Sequence, residues 1–163
     1  MTPTLRTNIW TIVTAGALAT LAFDLFGQGL SPLFGYAKLA PVGLAQGTVK
    51  SVFGVAPKGI GDVVHILNGL FIYSLGYVLV ARPIQKMVLP KLHWGLTALV
   101  YGVGLWVFAL YGVAHLIAGN KPFLGWGQIT WVALWGHVLY AVVLVAVIEK
   151  MPALRTSNSV ASA

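Results

Sequence analysis

Four long apolar runs divide this chain, and short polar or proline-bearing segments separate them. The runs cover about 9–31, 60–81, 94–118 and 129–148, each near the roughly 20 apolar residues a helix needs to cross a bilayer core. Pro32, Pro57, Pro83, Pro90, Pro122 and Pro152 fall in the connections, where a missing amide hydrogen costs no helical bond. The pattern predicts an all-α integral membrane protein: one four-helix transmembrane bundle within residues 1–150, then a polar, disordered tail over 151–163. Residues 1–81 and 82–163 each hold two runs, but their polar positions do not superimpose and no internal repeat is read from them.

The first run begins at Ile9 and continues to about Leu30, past the length of a secretory signal core, so it is read as a retained span. The loop from about 33 to 58 is long for a helical bundle. Within it Val42, Ala45, Val49, Val52 and Phe53 recur near one helical face, with Gln46 and Lys50 on another. This spacing predicts a short amphipathic helix lying on the outer membrane surface.

Composition supports the membrane assignment. The 163 residues are 58% apolar and 8% charged, whereas a soluble domain carries about a quarter charged residues. A net charge of +7 in a soluble protein would raise the question of nucleic acid. Here the basic residues sit between the apolar runs, so the expected partner is the lipid bilayer and no nucleic acid is expected. Arg6, Arg82, Lys86, Lys91, Lys150 and Arg155 fall on one side of the membrane, and Lys38, Lys50, Lys58 and Lys121 on the other. The positive-inside rule then puts both termini in the cytoplasm. With no cysteine, the chain has no disulfide, thiolate or Cys-ligated metal.

The informative residues are the polar ones inside the runs. Counted inward from the outer helix ends at 1.5 Å per residue, Asp24 lies about 10 Å deep, His65 about 8 Å, His115 about 5 Å and His137 about 12 Å. Each comes from a different span. Thr20, Asp24, Gln28 and Ser31 form one stripe on the first span, and Gly61, His65, Asn68, Gly69 and Gly76 share a side of the second. Those two faces are expected to look at each other. Gly104, Phe108, Tyr111 and Gly112 accompany His115 on the third span, and burial of His137 follows from the cost of exposing its ring nitrogens to hydrocarbon. His93, beside Lys91 and Trp94, sits at the inner interface, and Asp62 lies at the start of its span.

An unpaired aspartate near the bilayer centre costs about 2.5–3.5 kcal/mol, so Asp24 needs a cation, a proton or a partner histidine. Three histidines and one carboxylate at similar depth predict a haem or a transition-metal ion, with redox chemistry as its expected use. In the haem version His65 and His115 are the axial pair. In the metal version Asp24, His65, His115 and His137 are the ligands. Gln28, Asn68 and Tyr111 are supporting residues or the lining of a quinone site. No HxxxH, ExxH or HExxH spacing reinforces the metal. Two other readings remain open: an accessory subunit of a larger membrane complex or a homo-oligomer, and a proton or small-solute transporter.

The stretches LWVFALYGVAHLIAG (105–119) and GWGQITWVALWGHVLYA (125–141), with SPLFGY and HWGLTALVYG, resemble small uncharacterised bacterial inner-membrane proteins of about four helices. The likeness covers most of residues 10–149. It implies a bacterial inner membrane and a four-helix fold, and it transfers no site residue.

Overall fold

The computed structural model describes residues 9–150, and the regular structure among them is entirely helical. Arg6, Arg155 and the tail over 151–163 lie outside the described residues. Five helices follow in order: α1 (Ile9–Leu33), α2 (Pro41–Phe53), α3 (Ile60–Val88), α4 (Trp94–Ile117) and α5 (Gln128–Lys150). All except α2 are long and apolar enough to cross a membrane.

The largest departure from the expected spans is at α3, which continues to Val88 with Arg82 and Pro83 inside it. A π-type turn over Tyr77–Ala81 ends two residues before that proline and loosens the hydrogen-bond ladder where the missing N–H would otherwise break it. Similar turns occupy Leu25–Leu30 in α1, Asn68–Ile72 in α3 and Phe108–Ile117 in α4, while α5 is regular. Carbonyls released by such turns need new donors. Gly69 O receives one from the Tyr140 hydroxyl at 2.5 Å and another from Ser74 Oγ at 3.2 Å, and the Tyr101 hydroxyl donates to Tyr73 O.

Helix α5 is the hub, packed along both α1 and α4, and α1 also packs on α3. The side-by-side order is therefore α3, α1, α5, α4, and the backbones of α3 and α4 scarcely approach each other. Small residues permit the close crossings. A Cβ on Gly16 would stand 2.5 Å from Leu70 O, and one on Gly102 would stand 2.6 Å from Val138 Cα.

Helix α2 bridges the open side, packing against the start of α3 and the end of α4. Proline at its first turn favours its start, and Gly54, at φ +78°, ends it in the left-handed conformation with its N–H on Lys50 O. Gln46, expected on a free polar face, instead fastens the next connection: its Nε2 donates to Ala56 O and Pro57 O, and its Oε1 accepts from Gly61 N–H. Ala45 is buried, whereas Val52 and Phe53 are exposed. The far end of the bundle is tied by an ion pair, Arg82 Nε to Glu149 Oε1 at 2.7 Å, with the Tyr77 hydroxyl donating to the same oxygen.

Candidate functional site

Because α3 and α4 stand apart, a half-open cavity of about 960 Å³ lies between them. Its roof is the small-residue side of α2, with Gly43, Leu44, Gly47 and Thr48. Its back wall comes from α1 and α5, through Thr20, Phe23, Ala133, His137 and Tyr140. Val64, His65, Asn68 and Tyr73 of α3 face Phe108, Leu110 and Val113 of α4 across it. Most of this surface is apolar, and its polar side chains come from α2 (Thr48, Lys50 and Ser51) as well as from the α3 and α5 walls.

Asp24 sits where the regular part of α1 meets its π-type turn. His65 Nε2 lies 3.0 and 3.1 Å from the two Asp24 carboxylate oxygens, and Gln28 Nε2 donates to Oδ1 at 2.8 Å. The expected meeting of the α1 and α3 stripes is thus observed, down to Thr20 filling the space beside Gly69. His65 is the link between this pair and the cavity, since it belongs to the lining and Asp24 does not.

His137 is buried, at 6% exposure, and Nδ1 donates to Ala133 O at 2.7 Å, one turn back in α5. Phe23 packs edge-on against its ring at 5.1 Å, and Tyr73 lies at 6.3 Å. Asn68 also lines the cavity, and its carboxamide makes no hydrogen bond within the described residues.

His115 does not join this group. Its Nδ1 donates to Asn120 O at 2.7 Å, and its ring packs on Tyr111. Tyr111 in turn belongs to an aromatic cluster with Phe123, whose other members are Trp106, Trp126 and Trp131. Tyr111 and His115 share a side as their spacing predicts, but across the π-type stretch over Phe108–Ile117 that side is not the one lining the cavity. Among the described residues no group of three or more His, Asp or Glu stands close enough to hold a metal ion. The four-ligand set of Asp24, His65, His115 and His137 is therefore not assembled, and His65 shares the cavity with His137 rather than with His115.

Tyr73, Ser74 and Tyr140 escaped the sequence reading. Tyrosine and serine in an apolar run look like packing, and only the freed Gly69 carbonyl gives two of them a task. Arg82 and Glu149 were legible only as span-end charges, although an acid and a base near the same end of the bundle were a usable signal. No protein-family model, curated protein or solved structure matches the chain.

Proposed function

We propose that this membrane protein binds a lipid-soluble small molecule in the cavity between α3 and α4, with the polar head of the ligand at His65, Asn68 and His137. The observation that carries this reading is the cavity itself. A mostly apolar space of about 960 Å³ with a few convergent polar groups has the size and chemistry of a small-molecule site. Its side walls are two helices whose backbones scarcely meet, so a ligand dissolved in the bilayer has a lateral route to it. The surrounding membrane is the bacterial inner membrane, with the cavity toward its outer face. Lys38, Lys50, Lys58 and Lys121 mark that side, and the more numerous basic residues, Arg6 and Arg155 included, mark the cytoplasmic side.

The test is solvent extraction and mass spectrometry of protein purified gently into nanodiscs. A single retained lipophilic compound is expected in near-stoichiometric amount. Val113→Trp, which places an indole in the space, is expected to lower its retention about tenfold while the protein still folds. Equal retention by that variant would move the ligand out of the cavity.

A b-type haem held by His65 and His137 is the second reading, favoured by one contact. The bond from His137 Nδ1 to Ala133 O fixes the ring in the way a metal-binding imidazole is commonly fixed, with Nε2 left for the iron. An absorption spectrum of the same sample, oxidised and dithionite-reduced, decides it by the presence or absence of a Soret band that shifts on reduction.

A further inference from the structure

The two histidines facing the cavity are each held through one nitrogen, and that bond determines what the other nitrogen offers a ligand. His137 Nδ1 meets the carbonyl of Ala133, which only accepts, so Nδ1 carries a hydrogen. The ring is buried against Phe23 and Tyr73, where a cation would be costly, and the neutral ring leaves Nε2 as an acceptor. His65 Nε2 meets both oxygens of Asp24, which accept as a carboxylate, so Nε2 carries its hydrogen and Nδ1 is the acceptor of the neutral ring.

Two of the hydroxyls nearby are already committed. Thr20 Oγ1 donates to Gly16 O and the Tyr140 hydroxyl to Gly69 O. Two imidazole acceptors on adjoining walls, α3 and α5, therefore set the polarity of the head-group site, with Asn68 and the Tyr73 hydroxyl able to serve either role.

Resting on the ligand-binding reading above, we propose that the cavity selects a lipophilic ligand whose head group donates hydrogen, a phenol or quinol, over one that only accepts. His65 takes the proton of that hydroxyl. In this step the ligand O–H bond breaks, its electron pair stays on oxygen, and the proton forms an N–H bond at His65 Nδ1. The Nε2–H remains on Asp24, whose carboxylate offsets the new positive charge, and the phenolate oxygen accepts a hydrogen bond from Nδ1. Nothing is oxidised or reduced. Asp24 acts through His65 and is a positioning residue.

The test compares para-nonylphenol with para-nonylanisole, which share tail and ring and differ in whether the oxygen bears a hydrogen, for binding to the whole protein in nanodiscs. The phenol is expected to bind about tenfold tighter or more, since a site built to receive a hydroxyl leaves its acceptors unpaired with the ether. Equal or tighter binding of the ether, with both probes displaced by Val113→Trp, overturns donor selection and leaves cavity binding standing. Binding of neither probe, or binding of both unaffected by Val113→Trp, overturns the cavity reading and this proposal with it. For the proton step, an alkyl-chain para-nitrophenol is expected to show its phenolate absorption when bound to wild type and to lose it in Asp24→Asn and in His65→Gln. Unchanged absorption in both folded variants would remove His65 as the acceptor.

Discussion

A carboxylate taken out of water is costly unless it is paired, and Glu149, at the end of α5, meets that cost through Arg82, whose Nε stands 2.7 Å from its carboxylate. The side chains of Arg82 and Glu149 are only 11% and 21% exposed, so the pair lies closer to the buried than to the surface case. Removing one partner should then cost more than removing both. Glu149→Gln is expected to destabilise the protein by about 3 kcal/mol, and the double change Arg82→Met with Glu149→Met to recover much of that loss. Unfolding in mixed detergent micelles measures both, and a double variant as weak as the single one would refute the pairing argument. The same reasoning about cost made Asp24 legible in the sequence, because one acid in a polar stripe opposite a histidine has few ways to be satisfied. It made the burial of His137 legible but not its partner, since the acceptor is the Ala133 backbone carbonyl and every residue has one.

Helix faces inferred from sequence rest on 3.6 residues per turn, and the structure follows that period unevenly. Along α1 up to Asp24, and along α5, the period holds, and the stripe through Thr20 and Asp24 points where it should. Across the ten residues of Phe108–Ile117 the turns are wider: Tyr111 still packs on His115, but His115 Nδ1 goes to Asn120 O and neither residue lines the cavity. Propensity gave no warning, because the wider turns are sustained by bonds from other helices, such as those reaching Gly69 O and Tyr73 O. Glycine spacing was the more reliable guide to contacts between elements. Gly102 and Gly104 are neighbours on α4, yet a Cβ at Gly102 would strike the α5 backbone while one at Gly104 meets nothing within 4 Å. Gly102→Ala is therefore expected to cost about 1–3 kcal/mol through forced separation of α4 and α5. Gly104→Ala should stabilise by up to about 1 kcal/mol through helix propensity. Thermal unfolding of the two variants in detergent distinguishes them, and similar melting temperatures would mean that this crossing is not tightly packed.

At the scale of the whole molecule, apolar length gave the four candidate spans, and the long first loop gave a fifth helix. The cavity was not legible, because it arises from a neighbour order of α3, α1, α5, α4 that leaves one consecutive pair of spans, α3 and α4, apart. That order also gives the molecule two unlike ends. One carries α2 over the cavity, and the other carries Arg82, Glu149 and the connection with Lys86 and Lys91. The side of the membrane each end faces decides where a ligand-derived proton leaves, and the absence of cysteine makes the question simple to test. Lys58 and Lys91 are exposed in the two opposite connections, so each tolerates replacement by a single cysteine. If the charge asymmetry sets the orientation, Lys58→Cys reacts with a membrane-impermeant maleimide in intact spheroplasts, and Lys91→Cys reacts only after permeabilisation. The reverse pattern would turn the cavity toward the cytoplasm and make Asp24–His65 a device for releasing protons inward.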